Sequence, residues 1–336
     1  MLNKIKQLYG GLLLIALISF SSLYFADTSA AKHISLSPLV IAILLGFLYG
    51  NTVHRETPKE WAAGIAFAQK RLLRLGIILF GFRISFQEIA NVGATALVLD
   101  CFVVSTILIC GYFIGTKIFG LDGKLAAIIS SGSAICGAAA VMATESTIKT
   151  KPHETALAVA TVVIFGTIAM FVFPQLLRFT SLDAHQSGIA LGATVHEVAQ
   201  VVAAGSAIST EATETAVIVK LTRVMLLVPA LAILGAIFAP PTAAGESKIK
   251  IYVQAFPLFA LGFIAVSGFN SLDIVPSDIK SAILVFDNFV LTMAMAALGV
   301  ETNFGKIKEV GIKPFLLAGT IFLILACILL STQFYL

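Results

Sequence analysis

Two glycine-punctuated stretches carry most of the polar side chains with which this chain could do chemistry inside a bilayer. The first, residues 124–144, supplies a cluster of small and polar residues: Ser131, Gly132, Ser133, Cys136 and Gly137. The second, residues 187–208, supplies Thr194, His196, Glu197 and Gln200. A glycine inside a helix destabilises it by about 1 kcal/mol relative to alanine, and broken backbone at bilayer depth is tolerated only where protein or a wet cavity encloses it. We therefore predict two discontinuous or re-entrant helices that line a substrate-binding site.

Binding of a small anion is the chemistry that such stretches suit best. A helix that begins at a break presents unpaired N–H groups and a partial positive charge at its N-terminus. Three hydroxyls could add hydrogen-bond donors: Ser131, Ser133 and Thr194. His196 and Gln200 are four residues apart, so we expect them to share one face of a helix.

Helix packing is the alternative interpretation of the first stretch. Ser133 and Gly137 have the small-xxx-small spacing by which transmembrane helices approach closely. Packing does not explain His196 and Glu197, because an ionisable group at the bilayer centre costs about 2.5 kcal/mol or more on insertion scales. Such groups are therefore interpreted as functional.

The run His196-Glu197-Val-Ala-Gln200 also approaches the zinc-protease pattern H-E-x-x-H. Gln200 takes the place of the second histidine, and an amide oxygen is a poor zinc ligand beside an imidazole. A metal-dependent intramembrane hydrolase centred on His196 and Glu197 is thus only an alternative. We expect a protein that is not an enzyme, with no catalytic residues, no bound metal and no cofactor.

Basic side chains that could neutralise a bound anion lie inside two other apolar segments: Lys70 and Arg74 in 61–82, and Lys220 and Arg223 in 213–239. The alternative for both pairs is snorkelling, in which the charged ends reach the headgroups while the stems stay in the apolar region.

Acidic side chains at membrane depth could carry a coupling ion. The candidates are Asp100, Glu197 and Asp287, with Asn288 beside the last. A titrating carboxylate can couple proton movement to transport, and carboxylate or amide oxygens can hold Na⁺. The alternative is that Asp100 and Asp287 each pair with one of the basic residues.

Composition predicts a polytopic, all-α membrane protein. Of the 336 residues, 58% are hydrophobic and only 12% are charged, whereas a soluble domain carries about 25% charged residues. Continuous apolar runs without strand signals indicate helices rather than a barrel. We count about eleven hydrophobic segments: 9–26, 34–50, 61–82, 94–116, 124–144, 155–177, 187–208, 213–239, 251–269, 281–300 and 314–331. Their short connections predict a single integral membrane domain, residues 1–336.

The distribution of lysine and arginine among the loops predicts a cytoplasmic N-terminus and a C-terminus on the outer side of the membrane. The charge bias does not decide whether residues 124–144 and 187–208 cross the membrane. If they are hairpins that enter and leave on the same side, they enter from opposite faces, and the positions of both termini are unchanged.

A weak internal repeat aligns residues 81–93 with residues 299–311. Both copies begin and end with glycine, and we expect each to end one helix and to lead through a short amphipathic connector into the next. The two copies would lie on opposite sides of the membrane, which indicates the inverted repeats of a secondary transporter.

The chain resembles the YeiH-type family of bacterial inner-membrane proteins, whose members are labelled sulfate exporters. The resemblance lies in three runs: SGSAICGAAAVMATES, GATVHEVAQVVAAG and LLRLGIILFGFRIS. The resemblance implies an inner-membrane transporter with inverted repeats and crossed, broken helices, in which a core domain carries the site and a second domain forms a panel of helices. It places the site at the motif residues of the two glycine-rich stretches. It leaves open whether the substrate is sulfate or an organosulfonate.

We therefore predict a secondary active transporter for a small anion that works by alternating access and is coupled to H⁺ or Na⁺. The sequence has no G-x-x-x-x-G-K-[ST] loop, so we do not expect ATP to drive it. An anion channel is the second alternative. Besides the anion and the coupling ion, we expect membrane lipid and a homo-oligomeric copy as partners, and no nucleic acid, because the basic residues are scattered.

Overall fold

The computed structural model describes residues 2–28, 37–53, 59–238, 258–302 and 311–336, and over these residues it contains helices and no strand. The α-helices are α1 Leu2–Ala26, α2 Pro38–Thr52, α3 Ala62–Phe67, α4 Leu73–Phe80, α5 Phe86–Phe113, α6 Gly123–Ala134, α7 Ala138–Ile148, α8 Pro152–Leu177, α9 Ala184–Thr194, α10 Val198–Ser206, α11 Thr210–Met225, α12 Leu227–Phe238, α13 Leu258–Asn270, α14 Ser277–Glu301 and α15 Ile312–Ser331. A π-helical turn, Ala68–Leu72, joins α3 to α4.

The helices form two compact units. The first comprises Met1–Ala90 and Leu258–Phe304, and the second comprises Asn91–Pro257 and Gly305–Leu336. Whether they act as one transport domain stays a prediction.

Six helical stretches among the described residues are long and apolar enough to cross a membrane: Leu8–Ala26, Ala96–Ile118, His153–Leu177, Thr210–Phe238, Ser277–Glu301 and Ile312–Phe334. Two shorter apolar helices, Pro38–Thr52 and Leu258–Asn270, accompany them. These lengths and compositions support a multi-pass membrane protein whose outer side chains contact lipid. The count of about eleven membrane segments stays a prediction.

Helix packing in the first unit depends on glycines. A Cβ on Gly46 or Gly50 of α2 would collide with the backbone of Ala296 or Val300 of α14, and Gly299 of α14 lies as close to α2. Such contacts are how transmembrane helices pack in the absence of a hydrophobic driving force.

The beginning of α5 differs from the sequence prediction. We expected a connector up to residue 93, but the helix starts at Phe86. Glu88 explains the early start, because its Oε2 accepts hydrogen bonds from the N–H (2.6 Å) and the hydroxyl (2.8 Å) of Ser85. Most of the second copy of the repeat, residues 303–310, lies outside the described residues.

Candidate functional site

The first glycine-rich stretch is a pair of antiparallel helices, α6 and α7, linked by residues 135–137. Gly137 has φ +76° and ψ −140°, a conformation that is open to glycine and strained for other residues. At the opposite end, Lys124 Nζ at the start of α6 donates a hydrogen bond to the carbonyl of Ile148 at the end of α7 (2.7 Å). The stretch is therefore a helical hairpin, here called hairpin 1, and residues 135–137 are its tip.

The second stretch has the same form. Residues 195–197 separate α9 from α10, and Val195 and Glu197 at the two ends of this link have extended backbone angles. Gly188 near the start of α9 and Gly205 near the end of α10 both pack against the first turn of α11. The two helices are therefore antiparallel, and they form hairpin 2 with residues 195–197 as its tip.

Both hairpins lie along one long apolar span, Thr210–Phe238, made of α11 and α12. The base of hairpin 2 adjoins the beginning of this span, as its glycines show. At the other end, Phe238 lies against the base of hairpin 1, where its ring is 3.9 Å from the position of a Cβ on Gly123, and α12 packs against α7. The hairpins therefore start from opposite ends of the span and meet tip to tip near its middle.

Lys220 of α11 ties the two tips together. Its Nζ donates hydrogen bonds to the carbonyl of Ile135 in tip 1 (2.7 Å) and to the carbonyl of Val195 in tip 2 (2.8 Å). Arg223, almost one turn further on, donates to the carbonyls of Ala193 and Val195. Both cations are fully buried. They lie at the C-terminal ends of α6 and α9, where the helix dipole is negative. Their positive charges therefore offset the negative ends of these two helices.

A carboxylate from hairpin 2 caps a helix of hairpin 1. Glu197 Oε1 accepts a hydrogen bond from the N–H of Ala138, the first residue of α7 (3.1 Å). Gly137, at the N-cap position, has no side chain that could do this, and a Cβ on it would lie 2.6 Å from Glu197 Oε1. Negative charge is favourable at a helix N-terminus. The helix end at which we expected an anion thus holds the protein's own carboxylate.

Asp100 of α5 adds a second carboxylate to the cluster. It is fully buried, and neither of its oxygens has a hydrogen-bond partner among the described residues. It interacts electrostatically with Arg223 and Lys220. When Asp100 and Glu197 are ionised, two negative charges balance the two positive charges of Lys220 and Arg223.

Two of the three predicted hydroxyls donate within their own helices. Thr194 Oγ1 donates to the carbonyl of Ala190 (2.7 Å), and Ser131 Oγ donates to the carbonyl of Ile128 (3.1 Å). The third, that of Ser133, is buried and has no partner in the described part of the chain. Ser133 is therefore the hydroxyl with an uncommitted donor.

Gly132 and Cys136 pack inside hairpin 1. A Cβ on Gly132 would lie 2.7 Å from the side chain of Val162 on α8 and would also crowd Val141 on α7. Cys136 is buried in the tip. Gly132 therefore allows α6, α7 and α8 to pack closely.

His196 lies in the extended tip, so the predicted helical face shared with Gln200 is wrong. Both ring nitrogens of His196 are buried and have no hydrogen-bond partner among the described residues. Gln200 Oε1 accepts a hydrogen bond from the N–H of Glu197 (3.0 Å). Gly166 of α8 makes room for this amide, since a Cβ there would lie 2.7 Å from Gln200 Nε2. Nothing in the sequence indicated that Gly166 makes this space, because a single glycine in an apolar helix is not distinctive.

Histidine, cysteine, aspartate and glutamate do not converge into a metal-binding group of three or more anywhere in the described ranges. The carboxylate of Glu197 is directed to a backbone amide of α7.

The other predicted site residues belong to the first unit. Lys70 and Arg74 are exposed, on the π-helical turn and on α4. Asp287 is buried and pairs with Arg83 (Nη2 to Oδ2, 3.2 Å), which was not among the predicted cations. Asn288 beside it is half-buried. The structure therefore gathers Asp100, Lys220 and Arg223 with the two glycine-rich stretches in one unit.

Comparison with known proteins assigns the family. The family described as conserved hypothetical protein 698 matches residues 10–318. A UPF0324 membrane protein of Bacteroides thetaiotaomicron is 45% identical over 311 residues, 92% of each chain. The UPF0324 inner membrane protein YeiH of Salmonella typhimurium is 44% identical over 317 residues, 93% of this chain and 89% of the relative. A UPF0324 membrane protein of Pseudomonas putida is 44% identical over 303 residues, 90% of this chain and 86% of the relative.

Fold and relatives together define a multi-pass membrane protein of helical hairpins. The chain belongs to the UPF0324 membrane protein family, which confirms the resemblance to YeiH-type proteins.

Proposed function

We propose that this protein is a secondary active transporter that binds a small oxyanion, of the sulfate or organosulfonate class, between the tips of its two hairpins. The observation that carries the proposal is the hydrogen bond between Glu197 and the Ala138 N–H. This contact supports an anion-binding helix N-terminus halfway along a membrane span, because α7 already accommodates a carboxylate there.

The surroundings of this helix end suit a small oxyanion. Ala138 is half-buried and Ala139 is exposed, so the first turn of α7 can be reached from outside the cluster. An ammonium group has three N–H donors, and Lys220 uses two of them on the tips. Its third donor and the hydroxyl of Ser133 are candidate ligands for the anion.

The arrangement of the hairpins favours transport by alternating access. We propose that both are re-entrant, enter from opposite faces of the membrane and belong to inverted repeats, as in secondary transporters whose substrate lies near the midplane. Opening one tip would expose the site to one side while the other tip keeps it closed. A transport role is favoured over a hydrolytic one because Glu197 caps a helix instead of pairing with His196.

The test is counterflow in proteoliposomes that contain the purified protein. Labelled sulfate and a labelled organosulfonate are added outside vesicles that hold the unlabelled anion. We expect a transient accumulation of label for at least one of the two, with saturation at high concentration. Flux without counterflow or saturation would indicate a channel, and absence of flux for both anions would refute the proposal.

A further inference from the structure

The side chain of Glu197 and the transported anion compete for one place. Resting on the proposed function, we propose that Glu197 is the proton-coupling group of the transporter and that the anion binds when this carboxylate takes up a proton and leaves the first turn of α7.

The capping of α7 differs from that of the first helix of each hairpin, α6 and α9. Asp122 caps α6, and Asp183 caps α9, each through a backbone N–H two or three residues further on. α7 has Gly137 at this position and takes its cap from Glu197, 59 residues away in the chain and on the other hairpin. A cap carried by a separate element can leave without unwinding the helix that it caps.

Access also distinguishes Glu197 from the other ionisable groups at the tips. Asp100, His196, Lys220 and Arg223 are fully buried, whereas Glu197 is partly exposed. Among these groups, Glu197 is therefore the one whose side chain a proton or an anion would meet first.

Charge balance supplies the coupling. With Asp100 and Glu197 ionised, the cluster has no net charge, so an added anion would introduce an unbalanced negative charge beside a carboxylate. If a proton from the side to which the site is open binds to a carboxylate oxygen of Glu197, its negative charge is removed. The N–H of Ala138 is then available to the anion, and the cluster with one monovalent anion and one proton is neutral again.

In the described part of the chain, few other groups act on Glu197. Lys220 of α11 and Cys136 in tip 1 interact with it electrostatically. His196 adjoins it in the chain, and Asp100 of α5 acts on the same lysine. Because Lys220 remains bound to both tips and Asp100 and His196 are fully buried, we assign the proton to Glu197.

Binding at different pH tests this assignment. The purified full-length protein is titrated with sulfate and with methanesulfonate, neither of which changes its charge from about pH 5 to 8. For the wild type we expect the apparent Kd to rise with pH, approaching about tenfold per pH unit once Glu197 is ionised, as one bound proton per anion requires. Glu197→Gln should bind with little pH dependence. Glu145→Gln, on α7 away from the tips, is the matched control and should keep the wild-type profile.

A flux measurement separates the two proposals. Glu197→Gln vesicles should still exchange anion for anion but should not accumulate it in response to a pH gradient. Wild type that binds neither anion at any pH would refute the proposed function. Wild type whose affinity is independent of pH, or depends on Na⁺ instead, would overturn only the role of Glu197, as would a Glu197→Gln profile equal to the wild type. If Glu197→Gln does not fold, Glu197→Asp, which is too short to keep the same contact, should bind the anion more tightly than wild type at high pH.

Discussion

At the scale of single residues, the charges at the tips face the ends of helices. Lys220 and Arg223 lie at the C-terminal ends of α6 and α9, and Glu197 lies at the N-terminus of α7. Each charge is opposite in sign to the helix end that it meets. The broken helices can therefore persist in a buried cluster because the protein supplies partners for the groups that the breaks leave unpaired.

Gly137→Ala should disturb the site directly. The methyl group would require a strained φ and would occupy the place of the Glu197 carboxylate, so we expect a loss of about 1–3 kcal/mol of stability together with loss of anion counterflow. Gly93→Ala is the matched control, since a Cβ on this residue of α5 has nothing within 4 Å. Thermal unfolding in detergent compares the two. Equal behaviour of both variants would contradict the geometry of tip 1.

Lys220→Met should be the most damaging substitution in the cluster. It leaves the carbonyl of Ile135 without its donor and removes one of the two donors to the carbonyl of Val195. It also removes a cation that acts on Asp100 and Glu197, and removal of one partner from a buried charged group costs about 3–5 kcal/mol. Asp100→Asn removes one of these two negative charges, so we expect the double variant to be about 1–2 kcal/mol more stable than the sum of the single variants predicts.

Chemical denaturation in detergent gives the four free energies of this cycle. Lys70→Met, an exposed lysine of the first unit, is the control and should change stability by about 0.5 kcal/mol or less. Strict additivity of Lys220→Met and Asp100→Asn would mean that these residues do not act on one another.

Residue chemistry identified Glu197 and Gly137 but not their contact. An ionisable side chain and paired glycines are visible in a sequence, and they marked the two stretches that form the hairpins. The partners of Lys220 were not predictable, because they are backbone carbonyls, which every residue has. His196 was placed wrongly because spacing rules assume a continuous helix.

At the scale of elements, hairpin 2 is positioned by glycines that let α9 lie against α11. A Cβ on Gly192 would be 2.6 Å from the carbonyl oxygen of Ala216 and equally close to the side chain of Val219. This close approach places Lys220, one turn further along α11, over the end of α9. Glycines that looked like helix breakers in the sequence are here packing residues as well.

Gly192→Ala should therefore move α9 away from α11 and weaken the bond between Lys220 and Val195. We expect a destabilisation of about 1–3 kcal/mol, typical of overpacking, and reduced counterflow, both followed in the same preparations. Gly268→Ala on α13, where a Cβ meets nothing within 4 Å, should leave both properties near wild type. Full activity of Gly192→Ala would show that the α9–α11 contact is dispensable.

The positions of helices could be predicted from apolar runs, but their limits and breaks could not. Ser85 and Glu88 form a capping signal that moves the start of α5 eight residues ahead of the apolar run at 94. The predicted segment 213–239 is two helices that meet at Leu226. Hydropathy is averaged over many residues, so it does not show where a local hydrogen bond begins or ends a helix.

At the scale of the whole molecule, the predicted orientation follows from loop charge alone. It requires the N-terminus to be cytoplasmic and the C-terminus to be outside. That result is independent of whether the hairpins cross or re-enter, because two re-entrant hairpins replace two crossings.

Thiol labelling tests the orientation. In a chain whose four cysteines are replaced by alanine, we expect Gln333→Cys to react with a membrane-impermeant maleimide in right-side-out vesicles. Asn3→Cys should react only in inverted vesicles. Labelling of both residues from the same side would require an even number of crossings and would reject the predicted topology.

We propose that the anion binds where the two tips meet. An anomalous diffraction map of the protein with selenate, the heavier analogue of sulfate, tests it most directly. We expect a selenium peak beside the first turn of α7, with selenate oxygens accepting hydrogen bonds from the N–H groups of Ala138 and Ala139 and with the Glu197 side chain turned away from α7. A map at saturating selenate in which Glu197 still binds Ala138, with selenium elsewhere or absent, would contradict it.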